Sequence, residues 1–356
     1  MFEKELLKGN IAIARAALKC GCSCYFGYPI TPQTEIGEYL SLEMQKQGLG
    51  YVCAESEIGA INMALGAAST GAKVMVSSSS CAVALMQETL SYASSDELPI
   101  VLVNVMRAGP GQGYIYPSQG DYNQATIGGG NGDYKTIVLA PTSVQECIDF
   151  TYKAFNLAHK YRNPVIILLD GLLGQMAEPA ILKENPYKDI DNSSWVLDGA
   201  KNRLSRKIHS LEPNSEKLAK HINKLQEKYS SIAKNETLYE EYLCADADFI
   251  ITAFGSLARI AKDVVDFYRE KEIKFGVFIP KTLSPFPHKE LEKLSEKTKA
   301  LYVAEMNSGQ MLRDVKLSCK KTNIKFIGSP AGEWLNKEEI IENINKISGE
   351  YYATSV

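Results

Sequence analysis

Two apolar runs decide the fold of this chain: PIVLVNVM at residues 99–106 and NPVIILLD at residues 163–170. Each run is continuously hydrophobic, which is typical of strands buried on both faces in a parallel sheet. Before the second run, PTSVQECIDFTYKAFNLAHKYR predicts a helix that begins with a capping box formed by Ser143 and Glu146. Strands that alternate with helices in this way predict an α/β domain.

The chain of 356 residues suggests about two domains, at roughly 150 residues each. We expect two α/β domains with mainly parallel sheets over residues 1–180 and 246–356. Residues 181–245 are rich in charge and predict a helical linker. Within that linker five apolar residues repeat at helical spacing and predict a stripe that packs on a domain: Leu218, Ile222, Leu225, Tyr229 and Ile232.

Composition excludes several classes of protein. Hydrophobic residues make up 45% of the chain and charged residues 23%, as in ordinary proteins with apolar cores. The net charge of −3 gives no basic surface for nucleic acid or for a membrane. The opening MFEKELLKGN has no apolar signal region, and no run approaches the roughly 18 residues of a membrane-spanning helix. We therefore expect a cytoplasmic protein.

Eight cysteines raise the question of a metal or iron–sulfur site. CGCSC at residues 20–24 has neither a C-x-x-C pair nor a paired second half, so it does not match a ligand cluster. Reduced thiols in a cytosolic protein are the better interpretation.

The segment YPITP at residues 28–32 follows a strand-like run and precedes a helix-like run. Thr31 suits a helix N-cap, and Pro32 suits the first helical position, where its missing N–H is not needed. The segment is either a stiff strand-to-helix turn or a preformed loop that presents Thr31 to a ligand. Open α/β sheets bind ligands at this edge.

Three further charged residues carry alternative interpretations. Glu55 and Glu57 precede a helix rich in alanine and glycine, where an acidic residue either complements the helix dipole or becomes partly desolvated. Arg107 ends the first apolar run and either pairs structurally or grips a carboxylate through two parallel hydrogen bonds.

Other familiar motifs are missing. The glycine-rich stretches match neither nucleotide-binding pattern, and VSSSSCA lacks the G-x-S-x-G nucleophile elbow. The four histidines, at 159, 209, 221 and 288, lie outside the expected pocket, which excludes a hydrolase triad.

Several spaced motifs occur together in one order: YPITPQTEI, AESEIGAINMALGAA, SSSS with MQE, ELPIVLVNVMRAGPG, PSQGDY, GGGNGDY and KYRNPVIILLDGLLGQMAEP. This combination closely resembles the alpha subunit of the 2-oxoacid:ferredoxin oxidoreductases, which carries the domain that binds the thiamine pyrimidine. NVMR and the triple glycine most resemble the branched-chain branch, the 2-oxoisovalerate (3-methyl-2-oxobutanoate) ferredoxin oxidoreductases. The match runs from Gly9 to Pro179. It returns in TLSPFP and VAEMNSGQM, where the second domain resembles the transketolase C-terminal type.

The resemblance implies roles for individual residues. Glu57 matches the glutamate that contacts the pyrimidine ring nitrogen of thiamine diphosphate, and the adjoining loop residues Tyr28, Pro29 and Ile30 are expected to line the cofactor. Thr31 and Arg107 match the threonine and arginine that hold the 2-oxoacid. The resemblance therefore favours the preformed-loop interpretation of YPITP.

The resemblance also implies partners. The sequence has no G-D-G…N run for Mg²⁺ and diphosphate and no ferredoxin-type cysteine run. A beta subunit is expected to bring the Mg²⁺ and diphosphate site. Gamma and ferredoxin-like delta subunits would complete the complex, with iron–sulfur clusters on the partner subunits. Coenzyme A, ferredoxin and the 2-oxoacid are the expected reactants.

Two departures and two rival hypotheses remain. Where the branch reads SSSSPG this sequence has Cys81 and Ala82, and where it reads GGGHGDY this sequence has Asn131. One rival keeps the chemistry and changes the substrate to 2-oxoglutarate, whose second carboxylate would need a second basic side chain. The other rival is a non-catalytic assembly or binding subunit with the same fold.

Overall fold

The computed structural model describes residues 4–320 and 322–349 and shows a mixed α/β fold with mainly parallel sheets, as predicted. Within those residues the strands form a seven-stranded sheet, a five-stranded sheet and a two-stranded ribbon. The strands are β1 Glu5–Lys8, β2 Cys24–Gly27, β3 Gly50–Cys53, β4 Val74–Ser78, β5 Val101–Met106, β6 Ile137–Leu139, β7 Val165–Asp170, β8 Ala177–Ala180, β9 Tyr239–Tyr242, β10 Phe249–Thr252, β11 Phe275–Pro280, β12 Thr282–Ser284, β13 Ala300–Glu305 and β14 Asn323–Gly328. The helices are α1 Gly9–Lys19, α2 Thr34–Lys46, α3 Glu57–Ser69, α4 Cys81–Ala84, α5 Gln87–Ser95, α6 Tyr122–Thr126, α7 Val144–Tyr161, α8 Gly171–Gln175, α9 Ser215–Asn235, α10 Leu257–Arg269, α11 His288–Ser295, α12 Met311–Ser318 and α13 Lys337–Ser348.

The two apolar runs form the adjacent parallel strands β5 and β7 of the seven-stranded sheet, whose order is β12-β6-β7-β5-β4-β2-β3. Every residue of both strands is buried. Val103 packs in a core with α1, α2 and α7, while Leu102 faces the core shared with α3 and the five-stranded sheet. Both faces of these strands are therefore covered, which confirms the prediction from continuous hydrophobicity.

The order of the strands creates a switch point beside β2. The chain passes from β2 to β3 on one side and then crosses to β4 on the other side, and both neighbours run parallel to β2. Parallel strands end at the same edge of a sheet, so the segments after β2, β3, β4 and β5 all leave from one edge. Open α/β sheets bind ligands in the crevice at such a point.

Residues 181–245 contain more than the expected helix. Helix α9 covers residues 215–235, and β9 belongs to the five-stranded sheet, whose order is β14-β13-β10-β11-β9. Of the predicted stripe, Leu225, Tyr229 and Ile232 are buried, Ile222 packs partly against the same core, and Leu218 is 41% exposed. The stripe therefore holds only from the second turn onward, because the first turn does not reach the core.

Helix α7 begins where predicted, but only half of its capping box forms. The Ser143 hydroxyl accepts the backbone N–H of Glu146 at 3.1 Å, as expected. The Glu146 carboxylate instead accepts the backbone N–H and hydroxyl of Thr142 at 2.7 and 2.8 Å. It also pairs with Lys281 at 2.6 Å. The local bond that the sequence predicted at Ser143 is thus moved to Thr142, and a long-range ion pair with Lys281 is added.

The second half of the chain also completes the first sheet. Strand β12 pairs antiparallel with the edge strand β6. Ser284 of β12 donates its hydroxyl to the carbonyl of Thr136 at 2.8 Å. The expected boundary at residue 246 therefore does not divide the two sheets: β9 lies before it and belongs to the five-stranded sheet, while β12 lies after it and belongs to the seven-stranded sheet. The two sheets also share an apolar core.

Candidate active site

The residues singled out from the sequence gather at the switch-point edge. Tyr28 to Thr31 follow β2, Glu57 begins α3 after β3, and Arg107 follows β5 directly. Gly27 and Cys53, the last residues of β2 and β3, are direct neighbours across those two strands. The loop and the glutamate therefore start from adjacent strand ends.

Arg107 carries a guanidinium whose partners are all uncharged. Its Nη1 donates to the carbonyl of Thr31 at 3.2 Å, and its Nη2 donates to the carbonyl and side-chain oxygen of Gln112 at 2.9 and 3.0 Å. The same nitrogen lies 3.2 Å from the Cys81 sulfur. Its Nε is buried without a hydrogen-bond partner, and no carboxylate of the described ranges pairs with it. Arg107 is therefore a fixed cation without an anionic partner among the described residues.

The YPITP segment is held by hydrogen bonds from distant side chains, and the N-cap prediction for Thr31 and Pro32 is wrong. Helix α2 begins at Thr34, and the Thr31–Pro32 peptide bond is cis. The Pro32 carbonyl accepts hydrogen bonds from Asn10 and Gln175, each at 2.8 Å. Because the Pro32 carbonyl bonds to side chains from α1 and α8, the segment forms a tethered loop instead of a first helical turn. The Thr31 hydroxyl makes no hydrogen bond within the described part of the chain, and the residue is exposed.

The expected cofactor-lining residues lie at the surface of this loop. Tyr28 is 40% exposed, Pro29 is exposed and Ile30 is half-buried. A cavity of about 180 Å³ between the ends of β2 and β3 is lined in part by Tyr28, Pro29 and Cys53. These side chains are available to a planar ligand or to a partner chain.

Glu57 is the first residue of α3 and is half-buried. The preceding Ser56 caps the helix by accepting the backbone N–H of Gly59 at 3.1 Å. The described residues offer the Glu57 carboxylate no hydrogen bond or ion pair. Small neighbours such as Ala60 are buried, but Glu55 and Ile58 are exposed, so the carboxylate is less enclosed than the sequence suggested.

Sequence reasoning missed a buried polar ring beside Arg107. The Ser80 hydroxyl donates to Asp121 at 2.6 Å, Asn104 donates to the same carboxylate at 3.1 Å, and the Ser80 N–H donates to Asn104 at 3.1 Å. Burial raises the pKa of Asp121, and the hydrogen bonds from Ser80 and Asn104 partly oppose this. One signal was present in the sequence, because Asn104 is the polar residue inside the apolar run PIVLVNVM.

The two departures from the branch pattern have different surroundings. Cys81 touches Arg107 and therefore lies in the cluster of side chains around its guanidinium. Asn131 is exposed and accepts the hydroxyl of Ser91 at 3.0 Å, in a glycine-rich loop that packs on α5. Cys81 is thus the departure that lies beside the Arg107 guanidinium.

The eight cysteines form no disulfide in the structure. Cys20 and Cys22 are buried, and burial raises the pKa of the Cys22 thiol to about 12. Over residues 4–320 and 322–349, no helix has the length and apolar character needed to span a membrane.

The chain is thus an α/β protein that presents an arginine and a glutamate, neither of them in an ion pair with another described residue, at the switch point of a parallel sheet. Comparison with known proteins identifies the family. Residues 15–241 match the family described as pyruvate flavodoxin/ferredoxin oxidoreductase, thiamine diphosphate-binding. Residues 247–340 match the core domain II of pyruvate:ferredoxin oxidoreductase.

Individual relatives agree with these matches. The ketoisovalerate oxidoreductase subunit VorB of Methanothermobacter marburgensis is 43% identical over 346 residues, covering 97% of this chain and 98% of that protein. The 2-oxoglutarate synthase subunit KorA of Methanocaldococcus jannaschii is 36% identical, covering 95% and 98%. A solved structure, the 2-oxoglutarate:ferredoxin oxidoreductase from Magnetococcus marinus with 2-oxoglutarate, coenzyme A and succinyl-CoA bound, superposes with a TM-score of 0.85 at 25% identity. That superposition covers 97% of this chain and 65% of the longer one.

The chain therefore belongs to the pyruvate flavodoxin/ferredoxin oxidoreductase family, and it is a subunit of an oxidoreductase. The resemblance drawn from the spaced motifs is confirmed.

Proposed function

We propose that this chain supplies the 2-oxoacid and pyrimidine contacts of a thiamine diphosphate-dependent, branched-chain 2-oxoacid:ferredoxin oxidoreductase. The assembled complex oxidatively decarboxylates the 2-oxoacid, forms an acyl-CoA and reduces ferredoxin. The observation that carries the proposal is the Arg107 guanidinium, buried at its Nε without a partner and held against the Thr31 carbonyl. The relatives named as ketoisovalerate oxidoreductase subunits support the choice of substrate.

Arg107 and Thr31 bind the substrate carboxylate. The guanidinium neutralises the carboxylate, and its bonds to Gln112 and Thr31 fix its direction before the substrate arrives. The free Thr31 hydroxyl donates a further hydrogen bond. Because the loop that carries Thr31 is already tethered by Asn10 and Gln175, little ordering is left for the binding step.

Glu57 orients the cofactor. Its unpaired carboxyl would hold the pyrimidine ring nitrogen of the cofactor through a hydrogen bond, and Tyr28, Pro29 and Ile30 would line the ring. When bound, thiamine diphosphate supplies the electron sink for the loss of carbon dioxide. The residues present fit this group, because the half-buried carboxylate at the start of α3 has no competing partner.

Partner subunits complete the site. We assign the Mg²⁺ and diphosphate contacts to a beta subunit and the iron–sulfur clusters to ferredoxin-like and other subunits of a cytoplasmic complex. The naming of the relatives as subunits supports this assignment. Alone, the chain holds half of the cofactor site and is inactive.

The 2-oxoglutarate alternative is supported by relatives at 36% identity. It requires a second cation for the distal carboxylate of the substrate. The side chains that contact Arg107 are those of Cys81 and Gln112, and both are uncharged. These contacts therefore supply no second cation for a distal carboxylate, which favours a substrate that lacks one.

The direct test is ferredoxin or viologen reduction by the native complex, copurified through a tag on this chain. Coenzyme A is supplied with 2-oxoisovalerate, 2-oxoisocaproate, 2-oxoglutarate, pyruvate or an aryl pyruvate. We expect the branched acids to give the highest kcat/KM. Preference for 2-oxoglutarate would replace the substrate assignment.

Glu57→Gln tests the catalytic role of the chain. We expect a loss of roughly a hundred- to ten-thousandfold in kcat in the assembled complex, because the contact that would hold the pyrimidine ring nitrogen is weakened. Glu55→Gln is the matched control, since Glu55 is exposed two residues earlier and should leave the rate unchanged. Full activity of the Glu57→Gln complex would favour the non-catalytic assembly subunit.

A further inference from the structure

The polar ring formed by Ser80, Asn104 and Asp121 is closed and buried. Ser80 is 6% exposed, Asn104 is fully buried and Asp121 is 9% exposed. Both donors to the Asp121 carboxylate, the Ser80 hydroxyl and the Asn104 amide, reach the same oxygen. Buried polar networks in which each member has a partner are rigid.

This ring fixes the backbone from which Arg107 projects. The single proton of the Ser80 hydroxyl has two acceptors within reach, Asp121 at 2.6 Å and the carbonyl of Arg107 at 3.1 Å, and the shorter contact is to Asp121. The lone pairs of the hydroxyl therefore face the backbone N–H of Arg107, which donates to it at 2.9 Å. The backbone of Ser80 has a φ of +36°, a value that residues other than glycine rarely adopt. Such a conformation persists when the surrounding contacts enforce it.

The second domain holds the segment that carries Asp121. Gln119 and Met306 exchange two hydrogen bonds: the N–H of Gln119 donates to the Met306 carbonyl at 3.0 Å, and the N–H of Met306 donates to the Gln119 side chain at 3.1 Å. Asn307 donates to the Gln119 carbonyl at 2.8 Å, and Gln310 donates to the Gly120 carbonyl at 2.6 Å. The PSQGDY and VAEMNSGQM motifs thus interlock.

We propose that Asp121 is a positioning residue for substrate binding: held by the second domain, it orients the Ser80 hydroxyl, which fixes the Arg107 backbone and so aims the guanidinium. The inference rests on the proposed function of Arg107 as the substrate-carboxylate site. It gives the second domain a role in the affinity of the first domain for the 2-oxoacid. Displacement of a binding group by about 1 Å can cost up to about a hundredfold in rate.

The test is steady-state kinetics of the native complex with Asp121→Ala. We expect KM for the 2-oxoacid to rise by about tenfold or more, while KM for coenzyme A is unchanged and kcat changes less than KM. Asp121→Asn keeps an acceptor oxygen in the same place and should restore KM to within about threefold of the wild type. An unchanged KM in Asp121→Ala, or a loss confined to kcat, overturns the proposal.

Two further variants separate positioning from general loss of structure. Ser80→Gly tolerates the φ of +36° but lacks the hydroxyl, so it should fold and still raise KM by about tenfold. Ser284→Ala is the matched control, because it removes one hydrogen bond between the domains on the far edge strand. It should leave KM unchanged. Equal effects of Ser284→Ala and Asp121→Ala would mean that domain contact in general, and not the ring, sets KM.

Hydrogen exchange distinguishes this inference from the proposed function. The Arg107 amide should exchange faster in Asp121→Ala and Ser80→Gly than in the wild type, whether or not the complex turns over a 2-oxoacid. A wild-type complex that is inactive toward every 2-oxoacid would refute the proposed function alone. An unchanged Arg107 amide in both variants would refute the ring as its support.

Discussion

Arg107, directly after β5, offers more than a positive charge, because the N–H donors of its guanidinium point in fixed directions. Nη1 and Nη2 are used by Thr31 and Gln112, while the buried Nε lacks a partner. A lysine would keep the charge but would lose the planar set of donors. We expect Arg107→Lys to raise KM for the 2-oxoacid by about ten- to a hundredfold, because hydrogen bonds to charged groups contribute about 1.5–3 kcal/mol.

The measurement is KM for the 2-oxoacid and for coenzyme A in the same preparation of the complex. KM for coenzyme A serves as the internal control, since nothing in the geometry of Arg107 involves that reactant. If Arg107→Lys binds the 2-oxoacid as well as the wild type does, charge alone is sufficient and the directed-donor argument is wrong.

Among the elements, α7 carries a histidine that burial keeps neutral. His159 lies in the last turn, where a helix dipole favours a positive charge, yet it is 8% exposed. Burial and the neighbouring Lys73 ammonium lower its pKa to about 4, against a partly opposing effect of Asp189. The unfolded chain, with an ordinary pKa near 6.5, therefore binds a proton that the folded chain does not bind between pH 6.5 and 4.

Stability contributed by neutral His159 is therefore lost as the pH falls through this window. The loss is about 1.4 kcal/mol per pH unit, or about 2 kcal/mol between pH 6.5 and 5. His159→Gln should lose less stability than the wild type over the same interval, by about that amount. Urea unfolding at both pH values measures the difference, and parallel pH profiles for the two proteins would contradict the prediction.

Elements defined by local pattern could be predicted, and those defined by distant partners could not. Strands β5 and β7 and helix α7 follow from continuous hydrophobicity and a cap within three residues. Helix α2 begins later than predicted because Asn10 and Gln175 bond the Pro32 carbonyl. The family motifs identified Arg107, Thr31 and Glu57 as candidates, whereas the ring around Asp121 depends on three segments that meet only in the folded chain.

For the molecule as a whole, the two sheets act as one unit because buried groups connect them. They share one apolar core, and β12 pairs with β6 of the first sheet. The PSQGDY segment adds hydrogen bonds to the loop after β13, for example from Asn307 to Gln119. Loosening this contact should therefore affect the substrate site as well as stability.

Lys281 is the charged centre of this junction, and its removal gives the last prediction. It is 5% exposed, and its ammonium pairs with Glu146 of α7 at 2.6 Å and Glu240 of β9 at 3.0 Å. Lys281→Met leaves both carboxylates without this partner, so we expect a loss of about 3 kcal/mol in the free energy of unfolding. Lys274→Met is the control, because its pair with Asp246 spans 4.0 Å between exposed side chains and should change stability by less than about 0.5 kcal/mol. Urea denaturation compares the two variants, and equal, small effects would show that the ion pairs of Lys281 do not hold the sheets together.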